Sequence, residues 1–513
     1  MSFAIKNPQW RIRRIDVFVA TLCLLVSTSV VAQSTLPRLA EDRARTAVIA
    51  ALAEGADPDT PSSDGTTALH WAVNHGDTEL VRALLDAGAA PGPVNDYGVT
   101  PIATAAIEAD TDIIEALLDA GADVESPNGE GQTVLMAVAR TGNVAAAQLL
   151  LERGADVNTT EDFGGQSALM WASAQSQPDM IRVLLRQGAQ ADARGRIHDW
   201  ERRVTSEPRI KIMHAGGFTP LLYAAREGCI DCISALVDGG ADIDLTDPDG
   251  ITPLLLALLN RNFDAAGRLM ELGADIDRWD WWGRTPLYVA VDLDPVPDSR
   301  YGDLPSLDRL TGLDVAMMLL ERGANVDARL RQQPPLRSEP GDRGYTDGSP
   351  DVLVLTTGAT ALHTAVKSGN DAAIRLLLEH GADVSFPNVF GITPILAAAG
   401  LGHWYGIFRD FPTRGRYRTG ADAVVTMQIL LDAGADISVR SSNMGFGFQR
   451  PLRNGLTAAH GAAFSGWNEV LEFLVELGID IDAVSGDGVT PRDLAVIEER
   501  TDTVAFIDDL LGR

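Results

Sequence analysis

The amino-acid sequence predicts an all-α repeat solenoid, because two short phrases recur along most of its 513 residues. The first phrase is Gly-Ala-Asp or a close variant. It occurs eleven times, beginning at Gly55, Gly88, Gly121, Gly154, Gly188, Gly240, Gly273, Gly323, Gly381, Gly434 and Gly478. The second phrase, Gly-x-Thr-Pro or a close variant, follows most of these copies after about a dozen residues. Early copies lie about 33 residues apart, which is the period of a helix–turn–helix unit with a β-turn.

Each phrase has a physical role in such a unit. In "GVTPIATA", Thr100 supplies an N-cap hydroxyl and Pro101 takes the first helical position, where no amide hydrogen is missed. A second helix follows the first, as in "TELVRALLDAG" from Thr78, whose leucines and valine form one apolar stripe. Gly88 ends that helix in a left-handed cap, and the Asp- and Asn-rich link after it predicts a hairpin turn.

The segment "DGTTALHWAVNHGDTELVRALLDAGAA" from Asp64 resembles an ankyrin repeat, and the resemblance extends from about Leu36 to the C-terminus. It implies roughly ten helix–turn–helix units with β-hairpin links, plus a cap at each end. It also implies that the histidines of "TALH" and "TAAH" hydrogen-bond within and between turns. These histidines are His70, His363 and His460.

The repeat pattern divides the chain into five segments. They are a secretory signal peptide (1–32), a degenerate N-terminal capping repeat (33–63), regular repeats (64–196), repeats with insertions (197–486) and a C-terminal capping repeat (487–513). Insertions 195–215, 330–356 and 441–453 lengthen hairpin links, whereas 292–312 and 401–421 separate the two helices of one unit. Insertions in a solenoid often lie on a working face, but neutral drift also produces them, because long surface loops cost little stability.

The N-terminus has the pattern of an export signal. Arg13 and Arg14 belong to a positive start, a mainly apolar run extends from Val17 to Val31, and "VVA" before Gln33 offers a cleavage site. The run is short for a transmembrane span, so an uncleaved anchor is the weaker interpretation. We expect export across the inner membrane, to the periplasm or beyond, with no stable membrane anchor after the signal is removed.

The acidic composition limits the classes of partner. A formal net charge of −29 and a pI near 4.6 argue against nucleic-acid binding, because a phosphate backbone needs a basic protein face. The same charge argues against electrostatic adhesion to anionic membranes. We therefore expect a protein partner of unknown identity.

Two cysteines, Cys229 and Cys232, remain after signal removal, in the sequence "CIDC". In an exported chain they can form a local disulfide. Two small buried side chains at a helix start, a redox pair and half of a zinc site are the alternatives. No second cysteine pair completes a zinc site.

The sequence contains no constellation typical of catalysis. His198, His214 and His403 lie in insertions and are too dispersed to form a ligand set. The many Asp residues fall at matching link positions, which makes them turn formers before catalytic carboxylates. A phosphate-binding Gly loop and a Ser or Cys nucleophile motif are both lacking. We therefore predict no enzyme activity, no cofactor and no metal.

Aromatic side chains stand where such repeats usually carry a small polar residue, just before a turn glycine. These are Tyr97, Phe163, Trp282 and Phe390, and the hairpin "DRWDWWGRT" adds Trp279 and Trp281. Large aromatics beside arginines are typical anchors of protein interfaces. The alternative is that each ring shields its neighbour's hairpin, and this alternative is preferred for a single Tyr or Phe. Trp71 and Trp171 follow the buried leucine of a first helix and are expected in the core.

A basic, aromatic segment, "HWYGIFRDFPTRGRYRTG", occupies the insertion at 401–421. Its candidate contact residues are Trp404, Tyr405, Phe408, Arg409, Phe411, Arg414, Arg416 and Arg418. Insertions 195–215 and 441–453 share this bias. Such loops either fold back on the acidic surface of the chain or bind an acidic or aromatic ligand.

These observations favour an exported scaffold that binds another protein, as an adaptor or accessory subunit. A module that binds a glycan or another small ligand is the alternative, with the tryptophans as stacking platforms. A secreted host-directed effector is a third hypothesis.

Overall fold

The computed structural model describes residues 35–204, 211–293, 308–332, 354–402, 419–442 and 454–513. The chain divides into two units between Asp162 and Phe163. Within each unit the described residues form successive pairs of short helices, and most helices contact both their partner and the equivalent helix of the next pair. The predicted all-α repeat solenoid is confirmed.

The first unit contains four helix pairs in its described part. They are α1 (Leu36–Glu41) and α2 (Arg45–Ala53), α3 (Ala68–Asn74) and α4 (Thr78–Asp86), α5 (Pro101–Glu108) and α6 (Thr111–Asp119), and α7 (Val134–Thr141) and α8 (Val144–Glu152).

The second unit contains eight pairs in its described part and one two-stranded antiparallel ribbon. The pairs are α9 (Ala168–Ala174) and α10 (Pro178–Arg186), α11 (Pro220–Glu227) and α12 (Ile230–Asp238), α13 (Pro253–Leu259) and α14 (Phe263–Glu271), α15 (Pro286–Leu293) and α16 (Gly312–Glu321), α17 (Ala361–Ser368) and α18 (Asp371–Glu379), α19 (Pro394–Ala398) and α20 (Gly420–Asp432), α21 (Ala458–Ser465) and α22 (Asn468–Glu476), and α23 (Pro491–Ile497) and α24 (Thr501–Leu510). The ribbon is formed by β1 (Ile197–Val204) and β2 (Lys211–Gly216), which lie in the link between α10 and α11.

The recurring phrases begin and end the helices as their chemistry predicts. The Thr100 hydroxyl accepts a hydrogen bond from the amide of Ala103, and Pro101 starts α5. Leu80 and Leu84 of α4 are fully buried between neighbouring helices. Gly88 then turns the chain with a φ of +92°, a left-handed conformation that a side chain would strain.

The three histidines of the first helices form one repeated network. In α17, Nδ1 of His363 accepts the amide of Thr360 at 3.2 Å, so Nε2 carries the proton and donates to the carbonyl of Ile392 in the next repeat at 3.1 Å. His70 and His460 make the equivalent bonds. Each ring therefore caps its own helix and joins two repeats, the structural role that the resemblance implied.

The aspartates of the links are structural as well. In the second unit, four carboxylates each accept the backbone amide of the following repeat at 2.8–3.0 Å. The acceptor–donor pairs are Asp192–Asp242, Asp244–Asp275, Asp277–Asn325 and Asp327–Asp383. Much of the negative charge of these links thus satisfies backbone groups of the stack.

Trp71 and Trp171 were expected in the core, but both are only half-buried. Leu69 and His70 precede Trp71 and occupy the buried face of α3. Trp71 is one residue further along the helix, about 100° around its axis, and so lies at the edge of the buried face. The centre of its ring is 5.8 Å from the centre of the His75 ring.

Candidate interaction surface

A tight turn in the second unit presents the tryptophan-rich hairpin. The amide of Gly283 donates to the carbonyl of Asp280 at 2.8 Å, and the Asp280 amide donates to the carbonyl of Arg284 at 3.2 Å. Gly283 has a φ of +84°, and a Cβ there would lie 2.6 Å from the Arg331 nitrogen. Glycine is therefore required where the next link crosses this turn.

A buried ion pair holds the turn in place. The carboxylate of Asp280 accepts the amides of Trp282 and Arg284, each at 3.0 Å, and binds the guanidinium of Arg284 at 2.7 Å. Both side chains are almost fully excluded from solvent. Because every charge in this pair has a hydrogen-bonding partner, the pair adds rigidity at the base of the hairpin.

Trp282 does not belong to an exposed contact surface, contrary to the sequence-based expectation. Only 4% of the residue is exposed. Its carbonyl accepts the amides of Arg331 and Gln332 from the following link, at 2.9 and 3.2 Å, and the Arg284 guanidinium lies 4.9 Å from the centre of its ring. The Arg284 guanidinium thus lies over the ring, and the next hairpin lies directly against the backbone of this residue.

Trp279 and Trp281, in contrast, are exposed by 44% and 50%. The guanidinium carbon of Arg331 lies 3.3 Å from the centre of the Trp279 ring, and that of Arg329 lies 3.8 Å from the centre of the Phe386 ring. The guanidinium groups of one link thus contact an aromatic ring of the link before it and an aromatic ring of the link after it. We call Trp279, Trp281, Arg329, Arg331 and Phe386 the aromatic hairpin surface.

The other aromatic candidates have different surroundings. Tyr97 is 75% exposed and belongs to the first unit. Phe163 is 59% exposed, and its ring centre lies 5.2 Å from that of His198. Phe390 is half-buried, and its carbonyl accepts the amide of Ser442 at 2.8 Å. The aromatic hairpin surface therefore includes neither Tyr97 nor the two phenylalanines.

The basic candidates of the insertion at 401–421 lie outside the described residues. They are Trp404, Tyr405, Phe408, Arg409, Phe411, Arg414, Arg416 and Arg418. The flanks are described: Leu401 is buried after α19, and the Thr419 hydroxyl caps α20 by accepting the Asp422 amide at 3.2 Å. The segment thus connects the two helices of one pair. The export signal at 1–32 also lies outside the described residues.

Three arginines that the sequence reasoning missed lie at the bases of the lengthened links. Arg194 donates to the carbonyls of Gly217 and Thr246, both at 2.7 Å, and therefore joins its own link to the next one. Arg440 likewise donates to the carbonyls of Gly455 and Val484, both at 3.0 Å. Arg329 stands at the equivalent sequence position in the remaining lengthened link, where its guanidinium lies over the Phe386 ring.

A sequence signal for these arginines exists. Each is the sixth residue after the glycine of a Gly-Ala-Asp phrase, namely Gly188, Gly323 and Gly434. The other eight phrases have a different residue there. Arginine suits this position because its rigid fork of donors reaches two carbonyls at once.

Cys229 and Cys232 are joined by a disulfide at the start of α12. Within the part of the chain that the structure describes, no group of three or more His, Cys, Asp or Glu side chains is arranged to hold a metal ion. Among the same residues, no helix has the length and apolar character of a membrane span.

Comparison with known proteins places these features in a family. Ankyrin-repeat family models match residues 39–128, 121–194, 221–329 and 357–389, together more than half of the chain. Tyrosine-protein kinase HTK16 of Hydra vulgaris is 29% identical over 154 residues, which cover 30% of this chain and 16% of the kinase. A transient receptor potential cation channel subfamily A member 1 homolog of Caenorhabditis elegans is 28% identical over 152 residues, which cover 29% of this chain and 10% of the channel.

A solved ankyrin repeat domain also matches part of this chain. The ankyrin repeat domain of human ASB11 has a TM-score of 0.39 and 22% sequence identity, over 47% of this chain and 99% of that domain. This chain spans only 16% and 10% of the length of the two relatives named above. The matches to the ankyrin-repeat models agree with the paired helices and the capping histidines of the structure. This chain belongs to the ankyrin-repeat family.

Proposed function

We propose that this protein is an exported adaptor that binds another exported protein through the aromatic hairpin surface. Ankyrin repeats are generally non-catalytic scaffolds for protein–protein interaction, and this chain carries them along most of its length. The observation that carries the proposal is the exposure of two tryptophans on a turn held by a buried ion pair. A rigid aromatic anchor loses little conformational entropy when a partner covers it.

The charges around the tryptophans favour an acidic partner segment. Arg278, Arg329 and Arg331 are all exposed, on a chain whose net charge is −29, and the last two lie over aromatic rings. Arginines next to aromatic rings pair well with carboxylates of a partner. One face of the Trp279 ring is already covered by Arg331, which argues against this tryptophan as an open stacking platform for a glycan.

Export is supported by the charged and apolar pattern of residues 1–32 and agrees with the disulfide between Cys229 and Cys232. Disulfides persist in oxidising compartments such as the periplasm. Cell fractionation with an antibody against the chain tests this part of the proposal. Recovery of the mature chain, without residues 1–32, in the periplasmic or culture fraction is expected, and retention in the cytosol would contradict it.

The partner is tested by cross-linking and mass spectrometry on the native exported fraction, followed by affinity measurement with the purified partner. Trp281→Ala is expected to weaken binding by about 2 kcal/mol, or roughly thirtyfold in Kd. Tyr97→Ala is the matched control, because Tyr97 is an exposed aromatic before a turn glycine of the first unit. Equal affinities for wild type and Trp281→Ala would remove this surface from the interface.

A further inference from the structure

The disulfide between Cys229 and Cys232 occupies a position where other repeats carry a polar helix cap. Cys229 is the N-cap residue of α12, a helix of nine residues, and its sulfur accepts the amide of Cys232 at 3.2 Å. Four other second helices begin with an Asp or Asn side chain that accepts the same amide. Those N-cap residues are Asp77, Asp110, Asn143 and Asn370.

The reduced pair would preserve this capping interaction. A thiolate on Cys229 would take the place that the carboxylate of Asp77 or Asp110 takes in the first unit. The free amides and the dipole of a helix N-terminus stabilise a negative charge, including that of a thiolate. The same local fold therefore accommodates both the oxidised and the reduced state.

The turn that leads from the end of α11 into α12 is also held by contacts that do not involve sulfur. The side-chain amide of Asn262 donates to the carbonyls of Ala225 and Arg226 at 3.0 and 2.7 Å. Gly228 makes the turn with a φ of +73°. In addition, a disulfide across so short a segment removes little entropy from the unfolded chain, since the effect grows with loop length. The repeat does not depend on the disulfide for its shape.

The two cysteines differ in exposure. Cys229 is half-buried, whereas Cys232 is fully buried against the neighbouring helices. An external thiolate is therefore expected to reach the bond from the side of Cys229. This asymmetry assigns the attacked sulfur to Cys229 and the leaving sulfur to Cys232.

We propose that Cys229 and Cys232 form a reversible thiol–disulfide exchange site that reacts with external thiols. An external thiolate attacks the sulfur of Cys229, which forms a mixed disulfide and breaks the bond to Cys232. The sulfur of Cys232 leaves as a thiolate and takes up a proton. A second external thiol then attacks the external sulfur of the mixed disulfide, which releases a disulfide of the external thiol and leaves Cys229 reduced. Two external thiols are oxidised as the protein disulfide gains two electrons.

The test uses the full chain with Cys23→Ser, so that the two thiols of interest are the only ones. The oxidised protein is incubated with reduced glutathione at neutral pH, quenched with acid, alkylated and analysed by mass spectrometry. We expect two alkylated cysteines in a protein whose circular dichroism spectrum is unchanged. Resistance to glutathione until denaturant is added would overturn the proposal, because it would identify the disulfide as a purely structural link.

Single-cysteine variants test the assignment of the two sulfurs. With oxidised glutathione, Cys232→Ser is expected to form a mixed disulfide on Cys229 at least about tenfold faster than Cys229→Ser forms one on Cys232, since Cys232 is fully buried. Equal rates would contradict this asymmetry. A parallel reaction with a reduced, unfolded protein distinguishes a polypeptide partner from a small thiol, and oxidation of either supports the site.

The double variant Cys229→Asp with Cys232→Ala is the matched control for folding. It restores the carboxylate cap of α4 and α6 and cannot exchange thiols. We expect its melting temperature to lie within a few degrees of that of the reduced wild type. A large loss of stability in both this variant and the reduced protein would show that the repeat needs the disulfide, against the proposal.

Discussion

The carboxylate of Asp244 accepts the backbone amide of Asp275 at 2.9 Å and thereby joins two consecutive repeats of the second unit. Burial raises the pKa of Asp244 above its ordinary value; the hydrogen bond from the Asp275 amide lowers it in part, and the charge of Asp275 raises it again. The negative charge of Asp244 is therefore unfavourable in the folded state, whereas its oxygen is needed to accept the Asp275 amide. The strongly acidic composition is in part a consequence of this bonding scheme, which recurs from repeat to repeat.

Replacement of Asp244 separates the acceptor from the charge. Asp244→Ala leaves the Asp275 amide without its acceptor and is expected to lower the free energy of unfolding by about 1 kcal/mol at pH 7. Asp244→Asn keeps an oxygen acceptor without the charge and is expected to match or exceed wild-type stability. Urea denaturation measures both variants. If Asp244→Asn lost as much free energy of unfolding as Asp244→Ala, the charge of Asp244 would be required.

His363 makes the second unit sensitive to acid. Its complete burial lowers its pKa to about 4, whereas an exposed histidine in the unfolded chain titrates near 6.5. Between these values the unfolded state binds more protons, so the free energy of unfolding falls as the pH drops from about 6.5 toward 4. The decrease at pH 5 is expected to be about 2 kcal/mol from this residue.

His363→Gln is the variant that tests this pH effect, with urea midpoints measured at pH 7 and pH 5. The variant loses some stability at pH 7, because glutamine replaces the ring network imperfectly. Its further loss between pH 7 and pH 5 should be smaller than that of wild type by about 2 kcal/mol. The same pH dependence in both proteins would contradict the proton linkage of His363.

The buried pair of Asp280 and Arg284 is expected to be essential for the tryptophan hairpin. Asp280→Ala leaves the Arg284 guanidinium buried without a carboxylate and should cost about 3 kcal/mol in the free energy of unfolding. The double variant Asp280→Asn with Arg284→Gln removes both charges together and should recover most of that loss. A double variant no more stable than Asp280→Ala would show that packing, not charge pairing, holds the turn.

Arg440 should control opening of the lengthened link that follows it. The Gly455 amide donates to the Ser441 carbonyl at 2.9 Å, at the base of this link, and Arg440 donates to the Gly455 carbonyl. Arg440→Ala is expected to accelerate hydrogen exchange of the Gly455 amide about tenfold, because one bridge to the next repeat is lost. Arg440→Lys is the control, and its single ammonium group should restore protection only in part. Unchanged exchange in Arg440→Ala would remove the arginine as an anchor.

The regular parts of this protein were predictable because they depend on local chemistry. Thr100 and Pro101 begin a helix wherever they stand before a narrow apolar segment, and Gly88 ends one because it accepts a positive φ. The histidine network followed from the resemblance alone, because its partner carbonyl belongs to another repeat. The role of the arginines at the lengthened links was missed, although their spacing from Gly188, Gly323 and Gly434 was visible in the sequence.

The sequence by itself determined the repeat class, the helix pairs and the presence of aromatic residues at the links, because each depends on residues close together in the chain. Only the tertiary structure decided which tryptophan is buried. Trp281 and Trp282 are neighbours with similar local chemistry, yet one is 50% exposed and the other 4%. A contact between repeats contributes to the difference, because the amide of Arg331, 49 positions after Trp282, bonds to the Trp282 carbonyl and brings the next hairpin against this residue. Burial depends on a contact between repeats, which the residues of a single repeat do not encode.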